Sequence, residues 1–194
     1  MSIFELYLRL GFQHIADLNG YDHILFITTL CAVYMINEWK RILILITAFT
    51  IGHSITLALA TLNILSISSN LIEFLIPLTI FLTALGNIVQ KRNKVTVKLH
   101  YFKYGTALFF GLIHGLGFSN YLRSLLGMEN SIIGPLFSFN LGIELGQLII
   151  VGIILTISYL ITKFLKLKRR EWDLILSGAG IGISLILLIE RFPA

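Results

Sequence analysis

Residues 133–161, "IGPLFSFNLGIELGQLIIVGIILTISYLI", run for 29 residues with a single charged side chain, Glu144. A membrane-spanning helix needs about 20 mostly apolar residues, and a strand of this length without period-two alternation is not expected. The stretch reads as a spanning helix, long enough to tilt or to extend past the bilayer. Five further stretches read the same way: 21–37, 41–62, 71–90, 104–126 and 172–190. In a bilayer only helices and closed barrels satisfy every backbone group, and these runs are helical. The expected fold is all-α and polytopic: one integral membrane domain over 1–194, with a bundle of about six transmembrane helices.

Composition agrees. The 194 residues are 56 % hydrophobic and only 13 % charged, and the mean hydropathy is +0.87. A soluble domain carries roughly a quarter charged residues, so this chain could not cover a water-facing surface. The formal charge of +5 does not indicate nucleic acid, because the basic residues form short clusters between apolar runs. Such clusters report orientation. Twelve of the 15 lysines and arginines fall on one side, from Lys40 and Arg41 through Lys91–Lys103 to Lys163–Arg170. Arg9, Arg123 and Arg191 fall on the other. The rich side is expected to be cytoplasmic, which places both termini outside. Cys31, the one cysteine, lies in an apolar run and excludes both an internal disulfide and a thiolate cage.

Residues 1–18, "MSIFELYLRLGFQHIADL", lack the basic leader of a cleaved signal and are expected to stay in the mature protein. Glu5, Arg9, Gln13 and Asp17 recur every four residues beside an apolar ridge of Phe4, Leu8, Phe12 and Ile15. This predicts an amphipathic helix on the outer surface, with a Glu5–Arg9 pair at i,i+4. Asn19-Gly20 then turns the chain into the first span.

Ionisable groups inside the spans are costly and should face partners or a water cavity. His53 stands about 12 residues, roughly 18 Å, above Arg41, and His114 a similar distance above Lys103. Glu144 is near mid-depth, sharing a helix face with Asn140 and Gln147. Asp22 and His23 enter from above, and His14 with Asp17 approaches from the surface helix. Glu73 opens the third span, with Ser69 or Asn70 as its cap. The reading is one polar site in the outer half, with His14, Asp22, His23, His53, His114 and Glu144 as metal-binding candidates. Asp17, Glu73, Asn140 and Gln147 would line the entrance or support the ligands. Imidazole with carboxylate suits nickel, zinc, cobalt and similar transition metals, not magnesium or calcium. A carboxylate such as Asp22 commonly orients a neighbouring ligand histidine. Gly52, Gly111, Gly115, Gly117, Gly142 and Gly146 read as close helix contacts. Any one histidine could instead be a hydrogen-bonding link between helices. Ser54 beside His53 does not make a nucleophilic pair, because adjacent helix residues point apart.

Four phrases in order, "GFQHIADLNGYDHILFI", "FTIGHSITLALA", "FGLIHGLGF" and "FNLGIELGQL", resemble the HupE/UreJ family of bacterial membrane proteins. The resemblance runs from about Gly11 to Gln147. It implies a secondary permease for nickel or cobalt in the bacterial inner membrane. His14, Asp22 and His23 match its first histidine–aspartate–histidine motif, and His114 with Gly115 its later histidine–glycine motif. Seven residues stand between His14 and Asp22 where hydrogenase-linked members have five, and "HGLGFSN" lacks their second histidine and glutamate. The expected function is a membrane permease or binding protein for a divalent transition metal, its partners being the ion and the lipid bilayer. The alternatives are an intramembrane zinc-dependent hydrolase or lipid-modifying enzyme, and an assembly subunit without a ligand. No "HExxH" supports the enzyme.

Overall fold

A computed structural model describes residues 2–18, 20–90, 97–126 and 131–193. The turn expected at Asn19, the basic residues Lys91, Arg92 and Lys94, and Glu129 lie outside the described residues. Among those described there are helices and no strand. The order is α1 (Ile3–Ile15), α2 (Asp22–Cys31), a 3-10 turn (Ile36–Glu38), α3 (Trp39–Thr61), α4 (Ser69–Val89), α5 (Val97–Gly117), α6 (Ser119–Leu126), α7 (Ile133–Phe164) and α8 (Arg169–Glu190). Among the described residues four segments are long and apolar enough to cross a membrane: Ile36–Thr61, which includes α3, and α4, α7 and α8.

Two expected spans are divided. The stretch 21–37 holds only the ten-residue α2, about 15 Å long and half a hydrocarbon layer. It stops because Arg169 donates to the Val33 carbonyl at 2.6 Å and pairs with Glu38, drawing the chain into the 3-10 turn. The stretch 104–126 breaks at Phe118 between α5 and α6. There the Ser119 hydroxyl donates to the Leu116 carbonyl at 2.8 Å, competing with continued helix.

The first helix departs from its expected surface position. Its N-terminus carries a capping box: Ser2 Oγ accepts from the Glu5 amide, and Glu5 Oε2 accepts from the Ser2 amide at 2.8 Å. That use of Glu5 replaces the expected pair with Arg9. The polar stripe Glu5, Arg9 and Gln13 is exposed, whereas Tyr7, Gly11 and Ile15 are buried. Instead of lying flat, α1 packs lengthwise on α7. A Cβ on Gly11 would enter the backbone of Phe139, and one on Gly142 the backbone of Leu8. Ile15 fills the space over Gly146, so the two helices run in the same direction.

The same device joins α3 to α5. A Cβ on Gly52 would strike the Leu108 carbonyl, one on Gly111 the Phe49 carbonyl, and one on Gly115 the His53 carbonyl. These pairings rise together, so α3 and α5 are also parallel and nearly backbone to backbone. The two helices carry "FTIGH" and "FGLIH", so this contact sets His53 and His114 on neighbouring helices. At the top of α3 the chain turns through Asn63 at φ 59°, with Ile64 bonded back to Leu59 and Asn63 to Ala60. This is a Schellman close with asparagine in the left-handed position.

At the opposite end α4 and α8 are held by charge. Arg170 donates to the carbonyls of Asn87 (2.8 Å) and Ile88 at the foot of α4, and to Asp173 at 2.6 Å. Glu38 takes both Arg41 (2.8 Å) and Arg169. Neither Ser69 nor Asn70 caps α4; Ser68 holds that position without a side-chain bond, and Ser69 accepts from Asn120.

Candidate metal centre

Four helices bring their histidines to one place. His14 is in the last turn of α1, His23 in the first turn of α2, His53 on α3 and His114 near the end of α5. Ring centroids lie 4.7 Å apart for His14–His23, 5.9 Å for His14–His53, 6.4 Å for His23–His53 and 5.3 Å for His23–His114. His14, His23 and His53 each offer a ligand nitrogen within 4.8 Å of the other two. His53 and His114 are fully buried, and His23 is 6 % exposed.

The hydrogen-bond network assigns the free lone pairs. His23 Nδ1 stands 3.1 Å from Asp22 Oδ1, so the ring donates there and its Nε2, which has no protein partner, is left as an acceptor. Asp22 is itself anchored at the start of α2, accepting the His23 amide at 2.9 Å, with Arg191 at 3.4 Å from its other oxygen. On α4, the Thr79 hydroxyl donates to the Ile76 carbonyl at 2.7 Å, so its oxygen accepts from His114 Nε2 at 3.0 Å. That leaves His114 Nδ1 as a bare acceptor. Both ring nitrogens of His53 and Nε2 of His14 are also buried without partners. A buried polar atom without a partner costs about 1–3 kcal/mol, and a cluster of them in one place needs a reason. Imidazole nitrogens grouped in this way form a ligand set for a transition metal.

The surroundings are aromatic. Phe118 packs on His14 at 4.0 Å and Phe26 on His114 at 5.1 Å, and Phe49 touches both His53 and His114. Above the rings opens a cavity of about 390 Å³, lined by His14, Asp17, Asp22, His23, Glu73, His114 and Arg191 among others. Asp17 and Glu73, expected at the entrance, stand on its lining together with Arg191. Below, Phe26, Phe49, Ile80 and Phe110 pack into a buried apolar plug.

The α7 residues do not join the histidines. Glu144 Oε1 accepts from Thr47 at 3.0 Å and Gln147 Oε1 from Thr50 at 2.8 Å, while Asn140 donates to the Leu136 carbonyl. Glu144 and Asn140 line a separate lateral cleft with Thr47 and Ser54. Depth along a helix does not give azimuth: α7 turns its Gly142–Gly146 face to α1 and its Glu144 face sideways to α3. Sequence reasoning also missed Arg191 and Thr79, the partners of Asp22 and His114. Arg191 was readable as an outer charge, whereas nothing in the sequence singled out Thr79.

The fold and site together define a helical membrane protein with a buried imidazole cluster open to one face. Compared with known families, the chain matches the family described as HupE / UreJ protein over residues 1–190. It belongs to that family. Comparison with curated proteins gives no match, and neither does comparison with solved structures.

Proposed function

We propose that this protein is a permease for a divalent transition metal of the nickel and cobalt class, and that His14, His23 and His53 bind the ion, with His114 beside them. The observation that carries this reading is the group of three imidazoles within 4.8 Å whose nitrogens lack partners. Asp22 orients His23, while Asp17 and Glu73 attract the cation to the mouth. Glu144 has no part in this ligand set.

The bundle makes six passages as one domain, with both termini outside the bacterial inner membrane. Helices α3, α4, α7 and α8 make four, α5 with its basic foot makes another, and α1 with α2 forms a broken first passage. The site sits at that break, an arrangement used where irregular backbone lines a binding site. The apolar plug beneath it is the barrier that opens toward the cytoplasm.

The plug also gives weight to a second reading, an intramembrane zinc enzyme closed on one side. Against it, Asp22, the carboxylate that touches the imidazole group, is engaged by His23 and Arg191, and Glu144 is engaged with Thr47. Purified protein in liposomes separates the two. Uptake of radiolabelled nickel that is lost in His23→Ala and His53→Ala supports the permease. Tightly bound zinc with no uptake supports the enzyme. Uptake unchanged in both variants overturns the site.

A further inference from the structure

At the basic end of the bundle, away from the four-histidine cluster, a second cavity of about 230 Å³ opens between the segment that follows α2 and helices α4, α5 and α8. Its two carboxylates are already used: Glu38 by Arg41 and Arg169, Asp173 by Arg170. The other polar side chains lining it are Tyr34, Asn87, Gln90, His100 and Lys103. Among the described residues Lys103 forms no ion pair; its ammonium lies 5.5 Å over the Tyr34 ring. The Tyr34 hydroxyl is buried without a partner, on a side chain only 3 % exposed, and so is Arg169 Nε. A buried tyrosine hydroxyl, a guanidinium N–H and an unpaired ammonium around one small cavity are complementary to an anionic oxygen cluster.

This cavity does not stand alone. Lys103, Asn87 and Gln90 also line a groove of about 510 Å³ between α4 and α5, whose walls are Leu30, Leu82, Val89, Phe102, Ala107 and Phe110. The two hydroxyls on the groove, Thr83 and Thr106, are turned to their own helices, donating to the carbonyls of Thr79 (2.7 Å) and Phe102 (2.9 Å). The groove is therefore apolar in effect. Val89 and Phe102 are largely exposed and face outward. Lys103 lines both groove and cavity, with its ammonium over the Tyr34 ring.

We propose that the composite site holds one anionic phospholipid, with its phosphate at Lys103, Tyr34 and Arg169 and one acyl chain along the α4–α5 groove. The joined donor pocket and apolar groove decide for a lipid over a free anion, which would use only the pocket. Basic pockets between helices on the basic side of membrane proteins are suited to such headgroups.

The test is native mass spectrometry of the purified protein with added dioleoyl phosphatidylglycerol, dioleoyl phosphatidylcholine or inorganic phosphate. Phosphatidylglycerol is expected to be retained at least tenfold better than phosphatidylcholine. Lys103→Gln should lose most of that preference, and Lys103→Arg should keep it. Gly86→Leu should reduce retention by obstructing the groove, since a Cβ at Gly86 meets nothing within 4 Å and the helix accepts it. Equal retention of both lipids, unaltered preference in Lys103→Gln, or phosphate binding that matches the lipid's would each overturn the proposal. The lipid comparison on the unaltered protein decides the matter even if a variant fails to fold.

Discussion

Asp22→Asn removes a charge from the site without removing a ligand. The carboxylate touches His23 Nδ1 at 3.1 Å, and a metal on the far nitrogen would stand roughly 6 Å from it across the ring. At an effective dielectric of about 20, a dication and one carboxylate at that separation attract by about 5 kcal/mol. Arg191, 3.4 Å from the other oxygen, offsets part of this. The asparagine also loses the preference for the Nδ1–H tautomer that leaves Nε2 free. Supporting carboxylates of this kind are worth about 10–100-fold in metal affinity, or about 1.4–2.7 kcal/mol. Nickel titration calorimetry on detergent-purified protein should show that loss with unchanged stoichiometry, while His23→Ala should lose more. An affinity within twofold of the original in Asp22→Asn would refute the assigned tautomer and the role of Asp22.

Glu144→Gln should change nickel affinity less than twofold by the same titration, because the group bonds to Thr47 in a cleft apart from the histidines. Gly142→Val should lower thermal stability by about 1–3 kcal/mol, since its side chain would overlap the Leu8 backbone; a melting curve in detergent reads this. Nickel affinity should fall as pH drops, because protons compete for the lone pairs that bind metal; titrations at pH 7.5 and 5.5 check the sign. Cys31 is buried, so single cysteines at Ser2 and Pro193 should both react with an impermeant maleimide added outside intact cells, as the proposed topology requires.

Much of the architecture was legible in the residues because the bilayer leaves so few options. Apolar runs as long as 133–161 can only be helices, and glycines such as Gly52, Gly111 and Gly142 among bulky residues announce close backbone contact. The division at 32–38 was not legible, because it depends on Arg169, far along the chain, taking the Val33 carbonyl. The surface reading of α1 failed for a similar reason. Its amphipathic stripe is real, but a stripe does not say whether its apolar face meets lipid or another helix, and Gly11 against Phe139 decided for the helix.

The histidines show the same limit. Sequence spacing supplied which residues could reach a common depth, since depth follows from counting residues along a helix of fixed rise. It could not supply rotation about each axis, and that is what tertiary packing sets. The parallel α3–α5 and α1–α7 contacts turned His14, His53 and His114 toward His23 and left Glu144 facing elsewhere.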